Sequence, residues 1–232
     1  MSLSHSPQIV TNGLILALDA ANTKSYPGSG TIWTDISGNG YKGTLNGGIT
    51  YSSTGGSALV FGAVNTTTDY VSLSSAPVVT SAMSIEVWGK FNTYPGGAGS
   101  YNIVGEKNSI FRLMYGSSSF SWAMATTNNA WYSTGTTLSI NGITIGNWNQ
   151  VTIVYNGTNI LGYLNGTYRS ITSAAISGNV ISPVSFYIGQ SDAATGLSYA
   201  AGSIASVKLY NRALSSDEIS QNFNAYRGRF GL

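Results

Sequence analysis

Between Trp148 and Gly166 the chain reads WNQVTIVYNGTNILGYLNG, and the class of the fold turns on this stretch. Val151, Ile153 and Tyr155 recur at every second position, the period of a strand with one face turned inward. Asn156 and Gly157 then interrupt the run, and both tolerate the positive φ that a tight hairpin demands. A second apolar run with Leu161, Tyr163 and Leu164 closes on another such pair, Asn165 and Gly166. Residues 148–171 therefore read as three consecutive antiparallel strands.

The same grammar extends in both directions. Strands are expected over 14–19, 58–61, 70–73, 83–91, 101–106, 110–115, 119–126, 186–190 and 204–211, each bounded by Gly, Asn, Pro or Ser. Within 83–91, Met83, Ile85 and Val87 fall on one face and Ser84, Glu86 and Trp88 on the other. Many short strands at this spacing predict an all-β sandwich or barrel. One helix stands out. Ser215 with Glu218 three residues on forms a capping box, Leu214 can staple onto Ile219, and Ile219, Phe223 and Tyr226 share one helical face. The Ser215 cap is worth about 1 kcal/mol, and Gly228 is the expected terminator. Residues 94–99 read as a surface loop rather than a linker. The predicted organisation is an extended arm over 1–12, one domain over 13–232, and a short tail over 227–232.

Composition narrows the function. Charged residues are 8% of the 232, against roughly 25% in soluble domains. A net charge of +2 without a Lys/Arg cluster argues against nucleic acid. With no cysteine there is no disulfide, thiol nucleophile or thiolate metal site. No apolar run approaches the ~18 residues of a membrane helix. A Gly-, Ser-, Thr-, Asn- and Tyr-rich chain of low charge suits an outside surface, whereas Met1 to Gln8 shows no export signal. A virion component, made in a host cytoplasm and then facing outward, satisfies both; a leader removed by processing is the other way to reconcile them.

Five stretches together resemble the laminin-G-like family of concanavalin A-like sandwiches: GLILALD (13–19) with NTKSYPGSGT (22–31) and WTDISGNG (33–40); LVFG (59–62) leading to Asp69–Val71; MSIEVW (83–88); WNQVTIVYNG (148–157) with YLNG (163–166); and GSIASVKLYNRAL (202–214). The form carrying SYPGSG is similar to that of tailed-phage structural proteins. The resemblance implies a two-sheet antiparallel jelly-roll sandwich with one short C-terminal helix. It fixes function far less, because this fold serves glycan binding, protein binding, scaffolding and hydrolysis.

Glycan hydrolysis needs two carboxylates flanking the scissile bond. The eight acidic residues form no cluster in sequence; Glu86 is alone on its strand and reads as a structural carboxylate. His5 is the only imidazole, and from a terminal arm it cannot serve a nucleophile or a zinc ion. Asp35 and Asn39 lie in a Gly/Asn loop of the kind that binds calcium, and the resemblance implies a structural ion nearby. The family's acidic pair in the last long strand is replaced by Ala205 and Ser206, so the other reading is that Asp35 and Asn39 bond their own turn. Trp88 and Trp148 read as core. Tyr94, Trp131, Tyr132 and Tyr199, with Asp192 and Arg112, are the candidates for contact with a glycan or a protein partner. The Asn65, Asn156 and Asn165 sequons read as incidental.

The expectation is thus a non-enzymatic phage virion surface protein, a capsid decoration or tail-associated component. It is held by other virion proteins through residues 1–12 and 227–232, and its loops are free to bind glycans. A free carbohydrate-binding lectin is the alternative and a glycoside hydrolase the weaker one.

Overall fold

The alternation over 83–91 and 148–155 becomes two neighbouring antiparallel strands in the computed structural model, which describes residues 7–62, 69–91, 101–105, 111–116, 119–128, 138–171, 176–181, 183, 185–190 and 200–232. In chain order the strands are β1 Leu14–Asp19, β2 Ile32–Thr34, β3 Lys42–Asn46, β4 Thr50–Ser52, β5 Ala58–Phe61, β6 Tyr70–Leu73, β7 Met83–Phe91, β8 Tyr101–Gly105, β9 Phe111–Gly116, β10 Ser119–Met124, β11 Leu138–Asn141, β12 Trp148–Tyr155, β13 Ile160–Leu164, β14 Thr167–Ile171, β15 Tyr187–Ile188 and β16 Gly202–Tyr210. Helix α1, Ser216–Tyr226, and a 3₁₀ turn, Arg227–Phe230, follow.

The strands form two eight-stranded antiparallel sheets. Sheet A runs β14-β13-β12-β7-β16-β5-β4, with β1 also on β16; sheet B runs β11-β10-β9-β8-β15-β6-β3-β2. The sandwich core lies between them. Met83, Ile85, Val87, Val151, Ile153, Tyr155, Val207 and Leu209 of sheet A belong to one buried cluster with Ile103, Leu113, Tyr115, Phe120 and Trp122 of sheet B. Burying each such side chain stabilises by about 1.5–3 kcal/mol. Strict alternation along β16 would put Ile204 and Val207 on opposite faces. A bulge at Ala205 resets the phase, so both point inward.

The Asn165–Gly166 hairpin has positive φ at both residues, 51° and 73°, as a type I′ turn requires. The predicted three-stranded meander is present. So are the helix, its capping box and the Leu214–Ile219 contact. Four strands were not foreseen, namely β2, β3, β4 and β11. Gly228 does not end the helix. It lies inside the 3₁₀ turn, and Gly231, with φ 73°, is the terminator.

The second correction concerns the two ends. Residues 7–12 lie against α1. Val10 donates its N–H to Asn222 Oδ1 at 2.8 Å and accepts from the Tyr210 hydroxyl at 3.1 Å. Its side chain packs with Leu214 and Ile219. At the other end Phe230 stacks on Trp88 with ring centres 4.4 Å apart, and Trp88 stacks on Phe223 at 5.7 Å. Residues 7–12 and 227–230 therefore complete the outer layer of sheet A, whereas the sequence read them as free docking elements. Residues 1–6 lie outside the described residues. Among the described residues no helix is long and apolar enough to cross a membrane.

Candidate functional site

The carboxylates account for themselves first. Glu86 faces away from the sandwich core, as its phase predicts, yet it is fully buried beneath α1. Its Oε1 accepts from Lys208 Nζ at 2.7 Å and its Oε2 from Asn222 Nδ2 at 3.0 Å. The Lys208 ammonium sits 4.0 Å from the centre of the Tyr226 ring. Asn222 also donates to the Tyr210 hydroxyl, whose pKa is pushed far up by burial and then by the Glu86 charge. Asp19 accepts from Arg229 at 2.7 Å and from the Tyr226 hydroxyl at 2.9 Å. Asp69 ties Gly48 to Gly62 through their N–H groups. Each of these carboxylates is tied into the fold by hydrogen bonds, and Glu86 and Asp19 also by ion pairs.

Asp35 and Asn39 do meet, around Ser37 and the Ile15 carbonyl. Asp35 Oδ1 accepts from the N–H groups of Ala17 and Ser37, both at 2.8 Å, and Oδ2 accepts from Ser37 Oγ at 2.8 Å. Asn39 Nδ2 donates to the Ile15 carbonyl and to Ser37 Oγ. A calcium ion takes six to eight oxygens, commonly with several carboxylates. Here one carboxylate is encircled by hydrogen donors, and among the described residues no three His, Cys, Asp or Glu gather as a metal site. The loop forms a turn that pins itself to β1.

Of the expected contact residues, Arg112 lies within the described residues, whereas Tyr94, Trp131, Tyr132, Asp192 and Tyr199 lie outside them. Phe111 and Leu113 enter the core, so Arg112 emerges on the outer face of sheet B. Register carries that face across the sheet. Arg112 pairs with Gly105, Gly105 with Tyr187, Tyr187 with Ser72, and Ser72 with Thr44. At about 4.8 Å per strand this row is about 19 Å long. Gly105, between Arg112 and Tyr187 in this row, is buried. Tyr70 packs edge-on to Tyr187, with ring centres 5.7 Å apart. Beside them Asn46 Nδ2 donates to Ser72 Oγ at 3.2 Å. The row combines a guanidinium, aromatic rings, hydroxyls and an amide, and it contains no carboxylate. Tyr70, Tyr187, Ser72 and Thr44 were not singled out from sequence.

The outer face of sheet A is roofed by α1 and the 3₁₀ turn, except at one end. There two hollows of about 220 and 320 Å³ flank Trp148 and share Lys90. Trp148 was read as core, but it is half-buried at the surface. Its phase could have revealed this, since Val151, Ile153 and Tyr155 take the inward positions and leave Trp148 outward beside its partner Lys90.

The family model for the laminin-G-like branch of the concanavalin A-like lectin/glucanases superfamily matches residues 65–220. Comparison with curated protein sequences finds no match. Among solved structures, a botulinum neurotoxin type C structure from work on its interaction with two ganglioside molecules aligns at TM-score 0.72 and 15% identity. That alignment covers 94% of this chain and 52% of the other. The botulinum neurotoxin type G receptor-binding domain aligns at TM-score 0.67 and 14% identity, covering 91% and 51%. The chain thus spans about half the length of these toxin domains. Domain 4 of AbnA, an extracellular arabinanase from Geobacillus stearothermophilus solved with arabinotriose, aligns at TM-score 0.64 and 16% identity, covering 90% and 97%. Such identities establish shared architecture and nothing finer. The family match spans most of the two-sheet sandwich, and on that ground the chain belongs to the concanavalin A-like lectin/glucanase superfamily.

Proposed function

We propose that this domain is a non-catalytic glycan-binding module that receives a saccharide chain along the outer face of sheet B. The observation that carries the reading is the row Arg112, Gly105, Tyr187, Ser72 and Thr44. An aromatic ring offers a platform for the C–H face of a sugar ring, and the guanidinium, hydroxyls and nearby amide supply hydrogen bonds to its hydroxyls. A row of about 19 Å accommodates several sugar units. The similar structures support the choice of ligand: the arabinanase domain was solved with arabinotriose, and the type C toxin work concerns gangliosides. Tyr94, Trp131, Tyr132, Asp192 and Tyr199 are proposed as further contacts.

A glycan array followed by titration tests this. Millimolar or tighter binding, weakened at least tenfold in Tyr187→Ala and Arg112→Ala, is expected; Trp131→Ala tests the further contact proposed there. Binding that survives both sheet B substitutions would move the site elsewhere. Turnover of a polysaccharide by the purified protein would replace the reading with a hydrolase.

The setting proposed for the module is the surface of a phage particle, where other virion proteins hold it in place. That part rests on the low charge and on the SYPGSG form at residues 25–30. Mass spectrometry of purified particles tests it, and consistent absence of the protein from particles rejects it.

A further inference from the structure

We propose that the Lys90–Trp148 end of sheet A is a second binding site, specific for carboxylated saccharides. It lies on the opposite face from the row containing Arg112 and stands whether or not that row binds a glycan. Register builds it. Trp148 pairs with Lys90, Lys90 with Ser203, Ser203 with Val60, and Val60 with Thr50, so five strands contribute one outward row. One hollow, about 220 Å³, adds Ser52 and Thr54 beside Ser203; the other, about 320 Å³, adds Asn147 and Phe230. Both are near or below the small end of the ~300–1,000 Å³ of small-molecule sites, a scale suited to one or two sugar rings.

The aromatic platform is held from behind. Trp148 lies 4.5 Å from Phe230, which is clamped on Trp88 at 4.4 Å. Three successive rings fix the indole before any ligand arrives, which reduces the entropy lost on binding. Lys90 carries the one charged side chain lining either hollow, and Leu232 also lines the larger one; Lys90 forms no ion pair among the described residues. Laying a neutral sugar over that ammonium removes water from a cation and returns no countercharge. A carboxylate returns it, through a charge-assisted hydrogen bond. Ser52, Thr54 and Ser203 then offer hydroxyls, and Asn147 an amide, to the ring hydroxyls. A single lysine is too little for a nucleic-acid backbone.

The probes are trigalacturonic acid and 3′-sialyllactose, each titrated beside its neutral counterpart, galactotriose and lactose, with the Trp148 indole N–H followed by NMR on the intact chain. The expected result has three parts. At least one acidic probe binds at millimolar or lower concentration, at least tenfold better than its counterpart. It shifts the Trp148 signal. It weakens at least tenfold in Lys90→Gln, while Lys90→Arg retains binding. The proposal is overturned if neither acidic probe binds, if the neutral sugars bind equally well, or if the Trp148 signal stays still. It is also overturned if Lys90→Gln, folded by circular dichroism, binds as the parent does.

Discussion

Removing either partner of the Glu86–Lys208 pair strands a charge beneath α1, where side-chain exposure is 0% and 1%. Breaking a buried pair in this way costs about 3–5 kcal/mol, whereas replacing both partners with well-packed apolar groups is often neutral. Glu86→Gln and Lys208→Met should therefore each lower the urea midpoint strongly, and the double variant Glu86→Leu/Lys208→Met should recover most of the loss. Equal losses in the single and double variants would show that the charge pair itself is not the cause. Glu218 presents a different case at the surface. The Arg212 guanidinium bonded to it holds its carboxyl down to about 2, below the ~4.3 of an unfolded glutamate. A lowered folded-state pKa contributes stability that is complete above about pH 4.3 and is lost as pH falls toward 2. Glu218→Gln should flatten that acid limb and cost no more than about 1 kcal/mol at neutral pH, as thermal unfolding across pH would show. Gly166 is constrained twice, by φ 73° and by Phe223, which a Cβ would meet at 3.0 Å.

At the scale of elements, the 3₁₀ turn behaves as a lid on Trp88. Phe230→Ala removes a ring that contacts both Trp88 and Trp148 and should cost about 3 kcal/mol; guanidinium unfolding measures it. Legibility also divides by element. β1, β5, β6 and β7 were placed at their observed bounds, and β12 to β14 as the meander over 148–171, because alternation and turn residues agree there. β2 and β4 have three residues each, and β3 carries Lys42, Gly43 and Thr44, so none shows a period to read. Gly43 is needed there because a Cβ would crowd Val71 at 2.6 Å. The outward direction of Arg112 was legible from Phe111 and Leu113. Its neighbours were not, because the row depends on β15, two residues long, lying between β8 and β6. Such long-range pairing leaves no local trace. Trp148 beside Lys90 was legible in principle and was misassigned because the tryptophan sits in a motif otherwise devoted to the core.

Across the whole molecule, the segments before β1 and after β16 meet on one face. Asn222 receives the N–H of Val10 through its carbonyl and gives its amide protons to Glu86 and Tyr210. Deleting residues 1–12 should therefore lower the melting temperature by several degrees, since it empties a place beside Leu214 and Ile219 and exposes their surface. An unchanged melting temperature would show that those contacts carry no weight.

β16 has a further consequence. It is the last strand of this domain to be made, yet it lies between β7 and β5 and also receives β1. Until residues 202–210 have left the ribosome, β7 and β5 have no common neighbour, and the nascent polypeptide presents two unfinished edges for several seconds of translation at about 5–20 residues per second. Folding must then wait for nearly the entire domain to emerge, so a ribosome-bound chain arrested before Gly202 should remain open to protease and to chaperones.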